Sequence, residues 1–334
     1  MSNLAKQIND VFENCSLAPI VLLDGAWGVG KTHFITHEYS THSEQDCLLI
    51  SVLGIQSLQQ FQEKLIGKYM SLASESESDT AAKAVSIFSK AISAIGDVTN
   101  SSQLVESLSG LVKQSIISKI NDVTIIVDDL ERIEDSSLAS LILGELYGMC
   151  NSESSIKAIV VMNDAKSSVS KSLIEKVICW KFKYEISSED AFNIAFGTLD
   201  VSPDIQRFMI KRLDEIQPLN LRVLIRLCDR MKQVSRMLNT MEDEIDVESS
   251  KQSLFHKMLY LSFLHHQQDQ DLDKIVEQIN TTLLPDEPDE RHPFYQQYLF
   301  HSESTSFIEF TLGCLSRPLQ NSDLHNLHPK LINY

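Results

Sequence analysis

The stretch Pro19-Ile20-Val21-Leu22-Leu23-Asp24-Gly25-Ala26-Trp27-Gly28-Val29-Gly30-Lys31-Thr32 decides how the chain is read. An apolar run of buried-strand type leads into G-x-x-x-x-G-K-[ST], a phosphate-binding loop pattern. Its glycines let the backbone turn tightly and aim successive N–H groups at one centre. A helix starting near Lys31 adds its positive end to that centre. Lys31 is expected to reach the β- and γ-phosphates, and the Thr32 hydroxyl to ligate Mg²⁺. The expected nucleotide-contacting set is therefore Gly25, Ala26, Trp27, Gly28, Val29, Gly30, Lys31 and Thr32, together with His33, which follows. Gly is roughly 7% of residues on average, so these four fixed positions match by chance only about once in a hundred chains of this length. No Asn-Lys-x-Asp guanine-reading segment is present, so ATP is expected over GTP.

Downstream, Val123-Thr124-Ile125-Ile126-Val127-Asp128-Asp129 is a β-branched run that ends in two carboxylates. Such a run suits a strand buried on both faces of a parallel sheet. With a phosphate loop upstream, Asp128 fits a Mg²⁺ ligand and Asp129 fits the acid that orients and polarises the attacking water. Successive strand residues point oppositely, but the chain turns at a strand tip, so both acids can serve one site. Asn163, at the end of Ala158-Ile159-Val160-Val161-Met162-Asn163, can touch the γ-phosphate or the lytic water, or be an ordinary turn Asn. Arg222, near the start of a later helix, can reach a nucleotide phosphate from a lid, or be a surface Arg on a solvated helix.

Around these segments the periodicity predicts an amphipathic helix over Asn3–Asn14, with Leu4, Ile8, Val11 and Phe12 on one side. It predicts a helix from Lys31 to Tyr39, a strand over Cys47–Val52 and a helix from Gln56 to Met70. An acidic, serine-rich break follows over Ser74–Asp79. Residues 80–120 read as a helical insertion, with Val85, Phe88, Ile92 and Ile95 on one face and Leu104, Leu108, Leu111 and Ile116 on another. Helices are expected over Leu138–Cys150 and Lys166–Glu175, and a last strand over Val177–Tyr184. Alternating strands and helices predict a three-layer α/β core with a parallel sheet, ligands lying at the carboxyl ends of the strands. From Ser187 the chain turns helical: a start at Ser187-Ser188-Glu189-Asp190, then Ile205–Leu213, Leu219–Leu238, Ser253–His266 and Asp271–Leu284. Met241–Asp246 reads as an acidic linker, Pro285–Glu290 as a loop and Pro293–Leu315 as one or two helices, before a loose tail from Arg317. The expected domains are a P-loop core over 1–186, an all-α lid over 187–241 and a C-terminal helical region over 242–334.

The bulk properties set limits. With 334 residues and 43% hydrophobic content the chain can bury an ample core. A net charge of -17 argues against direct nucleic-acid binding over the whole surface. Six cysteines, none in C-x-x-C spacing, point to neither a zinc site nor a disulfide framework, which suits a reducing, cytoplasmic setting. No signal peptide and no apolar run of about 18 residues is evident, so no membrane association is expected. His33, His37 and His42 supply no third metal ligand, and His265-His266 supplies none either. Arg132, Lys176 and Arg212 are candidates for a finger onto a neighbouring subunit's nucleotide, or for ordinary ion pairs.

Gly25–Thr32 and Ile125-Ile126-Val127-Asp128-Asp129-Leu130-Glu131-Arg132 resemble the two Walker segments of the KAP family of P-loop NTPases, G-x-W-G-x-G-K-[ST] and hhh-D-D-L-[DE]-R. Leu173–Ile178 is similar to that family's stretch after the sensor strand, and Asn220–Arg226 to the Asn-x-Arg start of its lid helix. The resemblance covers about residues 15–235. It implies an AAA+- or STAND-like nucleotide switch, with Lys31 and Thr32 on phosphate and Mg²⁺, Asp128 on Mg²⁺ and Asp129 on water. It also implies a setting among bacterial antiviral defence loci. Many relatives carry transmembrane helices between the Walker segments; residues 80–120 are too polar for that, which implies a soluble member. No effector segment is recognisable after the lid, so a separate partner or effector protein is expected, with homo-oligomers possible. Two other classes stay open: a nucleotide-stabilised scaffold that scarcely hydrolyses, and an AAA+-type DNA-associated ATPase. Lys31→Ala is expected to abolish nucleotide binding, read as the loss of heat on titrating Mg-ATP.

Overall fold

The computed structural model describes residues 3–75, 110–152, 155–240 and 246–267, with Asp271 and Lys274. The chain divides into two compact units, Met1–Tyr184 and Glu185–Tyr334.

The first unit is built on five parallel strands: β1 (Ile20–Asp24), β2 (Asp46–Ser51), β3 (Val123–Asp128), β4 (Lys157–Met162) and β5 (Trp180–Lys183). Their order across the sheet is β2-β3-β4-β1-β5. β4 thus lies between the strand that precedes the glycine-rich loop and the strand that carries Asp128. Asp24 pairs in register with Met162, and Asp128 with Val161, so the strands end together at one edge. Side-chain alternation splits the strands between two cores. Ile20, Leu22, Ile125, Val127, Ala158 and Val160 pack on one face with Phe61, Leu65, Tyr69 and Leu146. Val21, Leu23, Ile126, Ile159 and Val161 pack on the other with Ala5, Ile8, Phe12, Phe34 and Tyr39. Both faces are covered, which is what continuous aliphatic strands require. Fold class and core follow the sequence reading.

Several boundaries differ from expectation. The helix after the glycine-rich loop is α-helical over Lys31–His33, π-helical over Phe34–Tyr39 and α-helical again over Ser40–His42. The backbone N–H of Ser40 and its hydroxyl both reach back to the Ile35 carbonyl. The wider turn buries Phe34, Ile35 and Tyr39 together. The helix Leu58–Glu75 runs on through Ser74 and Glu75, where a break is expected. Val177 ends a helix, Lys171–Val177, and does not begin the last strand. That helix starts late because the serines before it favour turns: Ser168 donates to the Ile133 carbonyl, and Ser170 accepts from Leu173 N–H. Of the 80–120 insertion, only residues 110–120 are described; they hold the helix Gly110–Ile117, with Ile116, Ile117 and Ile120 in the core.

The second unit, among the described residues, is helical: Ser188–Phe196, Pro203–Glu215, Leu221–Asn239 and Val247–Gln267. Each of the first three starts on a side-chain cap, from Ser187, Ser202 and Asn220. Asp246, expected at the end of a linker, accepts from Ser249 N–H, so the helix Val247–Gln267 begins six residues before Ser253. Phe192, Phe196, Met209, Leu213, Leu224, Met231, Phe255 and Met258 form its core. The helices expected over 271–284 and 293–315 lie outside the described residues, apart from Asp271 and Lys274. No helix among the described residues is long and apolar enough to cross a membrane.

One polar knot sits in this helical core. Tyr260 donates to Glu215, whose carboxylate also accepts two bonds at 2.9 Å from Arg212. The His256 ring packs edge-on between Phe208 and Tyr260. Burial, aided by the Arg212 and Lys257 charges, lowers the His256 pKa to about 4. The unfolded chain therefore binds the extra proton first, and stability falls as pH drops from about 6.5 to about 4, by roughly 2–3 kcal/mol. Melting temperatures across this window should decline more steeply for the wild type than for His256→Gln; parallel slopes would place the acid sensitivity elsewhere.

Candidate nucleotide-binding site

The site is assembled where β1 and β3 end. Gly28 and Gly30 adopt φ of 79° and 101°, the left-handed region where a Cβ is strained. At Gly25 a Cβ would lie 2.7 Å from the Tyr184 carbonyl oxygen, so that position has no room for a side chain. Lys31, only 8% exposed, donates from Nζ to the carbonyls of Gly25 (2.7 Å) and Ala26 (3.1 Å). Burial pushes its pKa down; Glu131, then Asp128, Asp24 and Asp129 oppose this as nearby negative charges. A cation surrounded by acids and folded back on its own loop fits a group that otherwise holds phosphate oxygens.

Thr32 Oγ1 donates to Asp128 Oδ2 at 2.7 Å, although 96 residues separate them. Asp128 is 6% exposed, and burial raises its pKa, with the Thr32 bond working against that rise. A hydroxyl and a buried carboxylate side by side are hard oxygen donors suited to Mg²⁺. Asp129 is not a strand residue. The strand stops at Asp128, and Asp129 turns into the left-handed region at φ 66°. Its N–H donates to Asp128 Oδ1 at 2.9 Å, and its carbonyl accepts from Arg132 N–H. This turn is how two adjacent acids escape the strand's alternation. Asp129 Oδ1 accepts from Arg132 Nε at 2.9 Å, and Oδ2 from Ser51 Oγ at 3.3 Å.

The sequence-predicted residues divide into two groups. Gly25–Thr32, Asp128 and Asp129 are brought together. Asn163 follows β4, next to β3 in the sheet, and begins a short turn over Asp164–Lys166. His33 stacks on His37, with ring centroids 4.3 Å apart. Arg222 belongs to the second unit, in the first turn of Leu221–Asn239. Arg132 and Arg212, read as candidate fingers, are each paired within the chain, with Asp129 and Glu215.

Two clusters escaped sequence reading. Lys181 bridges Asp24 (3.0 Å) and Asp164 (2.6 Å), and Asp24 also accepts from Asp164 N–H, tying the loop's entrance to β5 and the β4 exit. Trp27 donates its indole N–H to Glu131 Oε1 at 2.6 Å, and Arg132 lies 5.2 Å from its ring centroid. Glu131 is 9% exposed, and its Oε2 has no hydrogen-bond partner among the described residues. No local pattern points to a tryptophan and a glutamate 104 residues apart.

A family profile described as the KAP family P-loop domain matches residues 1–193. The chain belongs to the KAP family. The matched stretch includes Gly25–Thr32 and Asp128. Among curated proteins no relative was found for this KAP chain. Among solved structures it is similar to a Walker-type ATPase of Pyrococcus abyssi (14% identity, 100% of this chain and 89% of that one, TM-score 0.43). It is also similar to a DNA replication initiation factor (12% identity, 98% and 92%, TM-score 0.36).

Trp27→Phe keeps the ring and removes the donor, leaving a buried carboxylate with neither oxygen satisfied. It should lower stability by about 1–3 kcal/mol. The added change Glu131→Met should restore most of the loss in a thermal melt.

Proposed function

We propose that this KAP chain is a Mg-ATP-dependent molecular switch that hydrolyses ATP slowly and thereby regulates a separate partner protein. The observation that carries the reading is the 2.7 Å contact between Thr32 and Asp128, which joins the loop to the acid strand. Bound Mg²⁺ supplies neutralisation of the charge on the β- and γ-phosphates. Thr32 and Asp128 are the residues that would hold it. The backbone N–H groups of Ala26 to Gly30 would cradle the phosphates, with His33 contributing from the residue after Thr32, and Lys31 would leave the Gly25 and Ala26 carbonyls to bind phosphate oxygens. Asp129 orients water and accepts its proton. Asn163 contacts the γ-phosphate or that water. Arg222 contacts a phosphate when the helical lid closes, so that occupancy alters the surface offered to a partner. The resemblance to the family supports this scheme, with a cytoplasmic protein and a place in antiviral defence as its setting.

A second reading is a scaffold that binds ATP and scarcely turns it over. It draws on Asp129, whose two oxygens are both already engaged, by Arg132 and Ser51. Asp129→Asn separates the two. If Asp129 orients water, the variant should bind Mg-ATP within about threefold of wild type and lose roughly 100-fold or more in turnover. Wild-type turnover in the variant refutes the role, and a wild-type rate indistinguishable from uncatalysed hydrolysis favours the scaffold.

A further inference from the structure

We propose that Arg132, braced on Trp27, is the residue that positions the Asp129 carboxylate. This rests on reading Asp129 as the water-orienting acid. Two contacts run in series from the phosphate loop to that acid, and a third anchors the indole from which they start. Trp27 Nε1–H donates to Glu131 Oε1 at 2.6 Å. The Arg132 guanidinium sits over the Trp27 ring at 5.2 Å. Arg132 Nε donates to Asp129 Oδ1 at 2.9 Å. Glu131, Arg132 and Asp129 all lie in the left-handed residue and short 3₁₀ turn that follow β3.

A guanidinium over an indole face is attracted to the ring, which restricts where its N–H groups can point before substrate arrives. Asp129 needs such a brace. Its side chain is partly exposed, and its other contact, to Ser51, is long at 3.3 Å. The same contacts argue against Arg132 as a finger for a neighbouring subunit, because its charge is committed to Asp129 of its own chain.

The brace also senses the loop. Lys31 donates to the carbonyls of Gly25 and Ala26, the two residues before Trp27. When phosphate draws Lys31 away, those carbonyls lose their donor, and Trp27 is the next residue to feel it. Loop occupancy is thereby linked to the geometry of Asp129. Glu131 is the anchor: buried, and holding the indole by one oxygen.

The test uses single-turnover hydrolysis by the full chain in a thermodynamic cycle of Arg132→Ala and Asp129→Asn. Arg132→Ala alone should slow the step about tenfold, a modest share of what an ångström of misplacement costs. Mg-ATP affinity should stay within about twofold, because the contact orients the acid without holding the nucleotide. In the Asp129→Asn background Arg132→Ala should cost nothing further, since the group it positions is gone. Losses that multiply, or a wild-type rate in Arg132→Ala, overturn the proposal. Arg132→Lys keeps the charge without the flat guanidinium and should be slow as well; a wild-type rate there removes the brace. Fluorescence supplies a readout apart from turnover. The chain has two tryptophans, so Trp180→Phe leaves Trp27 alone. In that background Arg132→Ala should change nucleotide-free emission, and Mg-ATP should change it when Arg132 is present. Emission indifferent to both overturns the brace. A wild-type chain that fails to bind Mg-ATP at all instead sinks the reading beneath it, and is recognised because the titration itself is flat.

Discussion

The hydrogen bond from Thr32 to Asp128 is the contact on which the rest of this molecule depends. Asp128 ends β3, while Thr32 lies in the helical turn beyond the loop that follows β1, and β4 runs between those two strands. The bond forms only if all three strands are parallel and in step, with Asp24 opposite Met162 and Asp128 opposite Val161. A slip of one residue in β3 would turn Asp128 to the opposite face and bring Val127 or Asp129 into its place. The two hydrophobic layers forbid that slip, because it would exchange Ile126 with its neighbours Ile125 and Val127 between cores shaped for different helices. The chemistry at the edge is thus held in place by packing in the middle.

Charge is gathered at this edge against the preference of burial. Lys31 and Asp128 are both nearly covered, and burial shifts each toward its neutral form. The acids around Lys31, with Glu131 foremost, oppose that shift. The loop's own carbonyls take the position that phosphate oxygens fill in the proposed complex. A triphosphate with its metal would add opposite charges to both groups and remove much of this conflict.

The strand tip solves a geometric problem. Two acids in sequence on a strand face opposite ways. Ending the strand at Asp128 and placing Asp129 at φ 66° puts a non-glycine residue in a strained conformation. The strain is held by the Asp128 carboxylate on one side, the Arg132 amide on the other and buried Leu130 just beyond. In the second unit Arg212, Glu215 and Tyr260 likewise gather their polar groups beside the apolar core.

Much of this was legible in the residues. The glycine-rich loop, the aliphatic strands, the acid pair and the Ser187 helix start follow from local rules, because turn chemistry, burial and capping act within a few residues. The π-helical turn at Phe34–Tyr39, the late start at Lys171 and the cap at Asp246 were not, because each is decided by what the segment packs on or bonds to. The sequence by itself determined that a phosphate loop, doubly buried strands and a helical unit exist. Only the tertiary structure decided that Trp27 meets Glu131, that Lys181 ties Asp24 to Asp164, and that Arg132 faces its own Asp129. The physical reason is distance along the chain. Trp27 and Glu131, and Lys181 with Asp24, touch only after sheet order and register are set, while the Arg132–Asp129 pair needs a backbone turn of the hand that L-residues avoid.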